Sequence, residues 1–240
     1  MSSLEDLLAV QGLDTALDQL RHKRANLAER SELKDVEAKR KVLEGELATA
    51  IATRDVVAAR QANLEKDIAA SEARIAEIDK RMYSGEVSSS RDLQAMANEI
   101  AQIKSRVSTL EDHALEAMDE REPLDAAVDE LAARDAGFVE LAAQLWAAIA
   151  AAESEIDAEI AVEEGQRSSA ASAVAGELLG EYERLRGRLG GIGAARLEHG
   201  TCMGCRMKLP ATELDRIKHQ PPDALVHCDQ CGRILVRNEP

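Results

Sequence analysis

The residues best suited to chemistry are Cys202, Cys205, Cys228 and Cys231, the four cysteines of the chain, spaced as Cys202-Met-Gly-Cys205 and Cys228-Asp-Gln-Cys231. Each C-x-x-C lets one tight turn present two sulfurs to the same point. Two such pairs with 22 residues between them supply the four soft thiolates that a tetrahedral Zn²⁺ site uses. Gly232, just after the second pair, permits the positive φ that closes such a knuckle, while the first pair carries Gly204 inside it. Two disulfides are a rival reading, but no signal peptide and no run of 18 apolar residues points to a secreted framework. A thioredoxin-like site would need a βαβ setting, and an iron centre on four thiolates shares the same spacing. His199 and His227 stand near enough in sequence to substitute for a thiolate or to support one.

Four thiolates leave no coordination position for water or substrate, so the expected role of the metal is to hold structure. Residues 196–240 are too few to bury much apolar surface alone, and metal binding must supply much of their folding free energy. Within them 196–201, 225–227 and 233–237 read as short strands, and 209–214 as the start of a helix with Leu214 and Ile217 on one face.

The elements that must position this site are of another material. Aromatic residues make up 2 % of the chain and charged ones 31 %, with alanine and leucine filling the apolar share, which suits long helices better than a broad core. A 3,4-spaced row runs from Leu43 through Leu47, Val57, Leu64, Ile68, Ile75 and Ile78 to Met82. A second runs from Leu93 through Met96, Ile100, Ile103, Val107, Leu110 and Val128 to Leu131. Folding back at residues 83–91 pairs Ile75 with Ile100 and Leu64 with Leu110, in one register along both rows. The fold class expected is therefore mainly α: a long antiparallel coiled-coil helical hairpin over residues 1–195 with its tip near 83–91, followed by a small four-cysteine zinc ribbon over 196–240.

Four local expectations follow from the same pattern. Arg54 would face Arg121, and Pro123 should kink or open the seam there. The first row slips in phase near Ser31 to Val36. Phe138 and Trp146 read as seam residues. Gly176, Gly180, Gly187, Gly190, Gly191 and Gly193 read as a loose linker before the ribbon.

Charge is unevenly spread. Residues 111–164 hold 17 acidic and 2 basic residues, enough to account for the whole net charge of −15, while 21–41 hold 8 basic and 4 acidic. The acidic arm would repel duplex nucleic acid, and the ribbon, with 7 basic and 6 acidic residues, has no large basic surplus. The acidic run reads either as a solvated face or as a dock for a basic protein. No G-x-S-x-G, H-E-x-x-H or Gly-rich phosphate loop occurs, so no enzymatic reading is supported.

Arg81-Met-Tyr-Ser-Gly85, Arg91-Asp-Leu-Gln94 and Glu99-Ile100, together with Gly200-Thr-Cys202-Met-Gly-Cys205-Arg-Met-Lys-Leu209-Pro and Cys228-Asp-Gln-Cys231-Gly-Arg-Ile-Leu235, resemble the bacterial C4-type zinc ribbon proteins that carry a long coiled-coil hairpin. The resemblance implies a cytoplasmic, non-enzymatic adaptor with one Zn²⁺ on Cys202, Cys205, Cys228 and Cys231. Some members are tied to the sigma-54 transcription factor, flagellar gene expression and messenger RNA binding.

Three functions are therefore expected in order. The first is a scaffold for a protein partner, with Met82, Tyr83, Arg91 and Leu93 at the tip as contacts. The second is a nucleic-acid module whose phosphate contacts are Arg206, Lys208, Arg216, Lys218, Arg233 and Arg237. The third is a thiol redox or zinc sensor. No membrane partner is expected, and monomer and dimer both remain open.

Overall fold

The computed structural model describes residues 3–221 and 224–237. Five helices, α1 (Ser3–Ala25), α2 (Ala28–Tyr83), α3 (Ser90–Ser172), α4 (Gly176–Arg188) and α5 (Ala211–Lys218), accompany four short strands, β1 (Ala194–Glu198), β2 (Thr201–Cys202), β3 (Val226–His227) and β4 (Ile234–Arg237). Two compact units result: residues 32–144, and residues 1–31 with 145–240.

In the unit of residues 32–144, α2 and α3 run antiparallel. The apolar rows meet as expected, burying Leu33, Val36, Leu43, Val57 and Ile78 of α2 with Val107, Ala114 and Ala117 of α3. Two of these positions are alanine and the others leucine, valine or isoleucine. Flanking ion pairs Arg74–Glu99 at 3.1 Å, Arg60–Glu120 at 2.5 Å and Arg40–Asp135 at 2.9 Å tie the arms together across the seam. At the tip the Ser84 amide donates to the Arg81 carbonyl, Gly85 takes φ 79°, and the Ser89 carbonyl receives the Leu93 amide that opens α3.

The arginine layer resolves through a residue that the row-by-row reading passed over. Asp125 accepts from Arg121 Nε at 2.9 Å and from Arg54 Nη1 at 3.2 Å, so one carboxylate separates two guanidiniums. Arg121 also donates to Gln61 at 3.0 Å. Asp125 lies one turn beyond Arg121 on the same helix face, the usual reach for an i,i+4 pair. The hydrogen bond from Arg121, with help from Arg54, holds this carboxyl below its ordinary value of 3.8. The helix runs through Pro123 without a break.

Three expectations are corrected. The interruption near Ser31 to Val36 is not there, since Leu33 and Val36 are buried in the seam. The chain breaks instead at Asn26–Leu27, where the Asn26 side-chain amide donates to the His22 carbonyl at 2.8 Å and competes with the helix ladder. Trp146 is 55 % exposed and not part of the seam, because Leu145, Ile149 and Ile156 carry the buried row and Trp146 stands about 100° around the helix from Leu145. The glycine-rich stretch is not a linker up to residue 188 but the helix α4. Tyr182 and Leu185 are buried there and outweigh the low helix propensity of glycine, about 1 kcal/mol per residue.

In the unit of residues 1–31 with 145–240, Leu4, Leu7 and Val10 of α1 pack with Val174, with Tyr182 and Leu185 of α4, and with Ala194, Ile234 and Val236 of the sheet. Beneath them sits a polar cluster. The Asp14 carboxylate, 4 % exposed, accepts from Tyr182 Oη at 2.7 Å and Arg167 Nε at 3.2 Å. Arg186 reaches Asp18 at 2.6 Å. Gln11 joins the helix to the strand: its Oε1 receives the amides of Gly193 at 2.7 Å and Ala194 at 3.3 Å, and its Nε2 donates to the Gly191 carbonyl at 3.1 Å. Residue 195, the boundary expected from sequence, falls inside β1.

Two tests follow from these polar groups. Tyr182→Phe removes one buried donor to Asp14 and should destabilise this unit by about 1–3 kcal/mol in denaturant unfolding. For Asp125 the depressed value means that its contribution is complete above pH 3.8 and is lost as pH falls through the lower folded value. Asp125→Ala should therefore lower the melting temperature at neutral pH, and the difference from the unsubstituted chain should shrink in strong acid.

Candidate metal centre

Strand alternation places the site. Successive side chains of β1 and β4 point to opposite faces: Ala194, Ile234 and Val236 go to the helices, while Ala195 and Leu235 join Cys202, Cys228, Leu209, Ile217 and Val226 on the other side. The sheet order is β2-β1-β4-β3, with β1 and β4 parallel and the outer pairs antiparallel. The sequence pattern alone reads 196–201 as one strand. The structure folds it into a hairpin, because His199 (φ 49°) and Gly200 (φ 78°) both adopt the left-handed region that a two-residue turn needs.

The two knuckles repeat one geometry. The Arg206 amide donates to the Cys202 carbonyl and the Gly232 amide to the Cys228 carbonyl, each at 2.7 Å. The Cys202 amide donates to Met207 at 3.0 Å and the Cys228 amide to Arg233 at 2.9 Å. The residue closing each knuckle has positive φ, 60° at Arg206 and 75° at Gly232. Glycine is used where that conformation costs nothing, and arginine takes the same shape in the other knuckle. Gly204 answers a different need: a Cβ there would lie 2.6 Å from Arg233 Cδ and 2.9 Å from Ala195 Cβ.

The four sulfurs lie within 4.8 Å of one another, with Cys202 Sγ 3.9 Å from Cys231 Sγ and Cys205 Sγ 4.0 Å from Cys228 Sγ. A disulfide needs about 2.05 Å, whereas sulfurs at the corners of a tetrahedron around Zn²⁺, with Zn–S near 2.3 Å, stand about 3.8 Å apart. The cage has the size of one such ion. Burial raises the Cys202 thiol and pushes Cys228 up to about 12. Burial also works against ionising Cys231, but hydrogen bonds from the Arg233 amide and guanidinium, Cys228 and Cys205 bring it to about 7. Metal uptake must therefore displace protons from the buried pair Cys202 and Cys228.

Residues 10–190 match the CT398-like coiled-coil hairpin domain, and residues 201–235 match the C4-type zinc ribbon domain. The chain belongs to the CT398-like hairpin family. Two strains of Mycobacterium tuberculosis carry relatives, MT2288 and Rv2229c, each 29 % identical over 97 % of this chain and 94 % of the relative. A solved structure from Mycobacterium smegmatis is 26 % identical with a TM-score of 0.85, covering 99 % of this chain and all of that one. CT398 of Chlamydia trachomatis shares the fold at a TM-score of 0.65, with 20 % identity and 98 % coverage of both chains.

Against this family architecture the other candidate residues divide. His199 sits in the β1–β2 turn, and His227 Nε2 lies 3.6 Å from Glu181, so neither histidine joins the four-sulfur set. Arg233 donates to the carbonyls of Ile192 at 3.0 Å and Leu189 at 2.9 Å, tying the second knuckle to the end of α4. Arg237 donates to the carbonyls of Ile217, Gln220, Pro221 and Ala224, and Arg216 pairs with Asp229 at 3.2 Å. Three of the six expected phosphate contacts thus hold the ribbon together, while Arg206, Lys208 and Lys218 are exposed. At the tip, in the other unit, Tyr83 is 82 % exposed, Arg91 is exposed, and Met82 and Leu93 are half-buried. Within α3 a stretch of 18 residues reaches a mean hydropathy of 1.2 with at most 2 charged residues and only 11 % of it buried, a length and composition that would suffice to cross a membrane.

Cys205→Ser leaves three thiolates. The purified chain should carry one metal ion by elemental analysis and the variant much less, and circular dichroism should show the helical signal of α2 and α3 largely retained in the variant.

Proposed function

We propose that this chain is a cytoplasmic, non-enzymatic adaptor that binds one Zn²⁺ on Cys202, Cys205, Cys228 and Cys231 and engages a protein partner of the transcription or RNA machinery. The closed four-thiolate cage supports a structural metal, since a catalytic zinc keeps a position open. The observation that carries the partner reading is Tyr83. An aromatic side chain 82 % exposed at a hairpin tip, flanked by half-buried Met82 and Leu93 and by Arg91, has the composition of a contact hot spot. Seam residues such as Ile75 and Leu110 face their own partner helix and have little left to offer.

Nucleic-acid binding through the ribbon is the second reading. It rests on Arg206, Lys208 and Lys218, which are exposed, and loses support from Arg216, Arg233 and Arg237, whose guanidiniums serve Asp229 and the carbonyls of Ile192 and Ile217. A redox or zinc sensor is the third, supported by Cys231, whose thiol near 7 would be the most reactive once the metal leaves.

Affinity capture from the native cell with and without RNase separates the first two: one protein retained after RNase fits the adaptor, and loss of all material fits RNA. Tyr83→Ala should weaken capture of that protein tenfold or more, an effect of about 1.4 kcal/mol or above, while helix content and melting temperature stay unchanged. Parallel loss of stability would make Tyr83 architectural.

A further inference from the structure

Glu213 is a buried carboxylate that neither the cage nor the proposed contacts use. It lies in the first turn of α5, 6 % exposed. Its Oε1 accepts the backbone amide of Asp229 at 3.2 Å, and its Oε2 is buried without a hydrogen-bond partner. Asp229 is the residue directly after Cys228 inside the second knuckle. Its side chain is held from the same helix, with Arg216 Nη2 at 3.2 Å from Oδ1 and 3.4 Å from Oδ2. One short helix therefore grips one knuckle residue twice, by its amide and by its carboxylate.

Burying a carboxylate beside a four-thiolate cage is unfavourable on two counts. The group loses its hydration, and it adds negative charge near a site that is already −2 when loaded. A residue serving only to fill space would more cheaply be leucine or glutamine. The retained carboxylate oxygen has one task visible in the structure, to accept the Asp229 amide and fix the turn that aims Cys228 and Cys231. The first knuckle has no such helix-borne acceptor among the described residues. There the corresponding residue, Met203, donates its amide to the Arg196 carbonyl of β1 at 2.9 Å. Each knuckle thus has its second residue anchored, one by the sheet and the other by α5.

We infer that Glu213 is a positioning residue for the metal, and that α5, through Glu213 and Arg216 on Asp229, sets how long the ribbon retains its ion. The inference rests on zinc occupying the cage. Loss of a hydrogen bond made directly to a ligand weakens metal sites about 10- to 100-fold, and Glu213 acts one residue from the ligand Cys228. The isosteric Glu213→Gln keeps a carbonyl oxygen for the Asp229 amide and removes the charge. Glu213→Ala removes both.

The test uses the full chain loaded with Zn²⁺ and challenged with a chromophoric chelator, together with hydrogen exchange of the Asp229 amide. Glu213→Ala should release zinc at least about tenfold faster than the unsubstituted chain and lose protection at Asp229 while the Cys228 amide, bonded to Arg233, stays protected. Glu213→Gln should hold its zinc at least as long as the unsubstituted chain and keep Asp229 protected. Unchanged release from Glu213→Ala overturns the inference, and so does equally fast release from both variants, which would assign the effect to charge. If Glu213→Ala does not fold, Glu213→Gln decides alone: faster release with the Asp229 amide still protected overturns the clamp, while retention with protection, or faster release with protection lost, supports it. A failure of the metal reading shows elsewhere, as absence of the cobalt–thiolate absorption band when the unsubstituted chain is titrated with Co²⁺. Asp229 protection then still judges the clamp.

Discussion

The parallel pairing of β1 with β4 is the interaction on which the C-terminal unit depends. Ala194 lies against Ile234, Ala195 against Leu235 and Arg196 against Val236, and the alternation of a strand sends these residues to two different cores. One face closes over α1 and α4. The other closes over the knuckles and α5. Neither core is large: among the described residues the apolar cluster on the metal side buries seven, two of them cysteines. A sheet of four strands, two of them only two residues long, has little backbone pairing, so the ribbon also depends on its helical base and, once loaded, on the metal in its cage.

The hairpin solves its own problem with different material. The apolar row repeats leucine, valine, isoleucine and alanine, which by themselves distinguish neighbouring registers poorly, so specificity of register has to come from elsewhere. Arg40–Asp135, Arg60–Glu120 and Arg74–Glu99 supply it along the edges. Single exposed pairs contribute little to stability, but three at separate points along the seam all favour the same alignment. The Arg54–Asp125–Arg121 cluster does the same inside the seam. A polar layer there costs stability while excluding alternative alignments.

Much of this was legible in the sequence. The paired C-x-x-C spacing fixed the four-cysteine cage, and the 3,4 rows on either side of Gly85 fixed the hairpin and its turn, because both signals are local and periodic. What was not legible depended on distant partners. Nothing near Gly176–Gly193 announces a helix, since α4 is stabilised by α1 packing on Tyr182 and Leu185 from far away in the chain. Trp146 was misplaced because aromatic residues are usually buried, whereas its helical angle relative to Leu145 and Ile149 gave the correct answer. Asp125 was missed because rows were compared layer by layer, and a long arginine reaches a full turn beyond its own layer. The β1–β2 hairpin did have a local sign, His199-Gly200. The roles of Arg233 and Arg237 had none, for charge alone does not distinguish a phosphate contact from a clamp on backbone carbonyls.

The packing of α1 against β4 has a consequence for how the protein is made. Leu4, Leu7 and Val10 share a core with Ile234 and Val236, and Gln11 is bonded to residues 180 to 183 positions away. During vectorial synthesis α2 and α3 can pair as soon as both have left the ribosome, because their contacts are nested around one turn. The apolar stripe of α1 meets its partners only much later in the chain, at Val174, Tyr182 and Leu185 and then at Ile234 and Val236. It stays uncovered while the long stretch between is made, so α1 is buried only after the hairpin that follows it can already have paired.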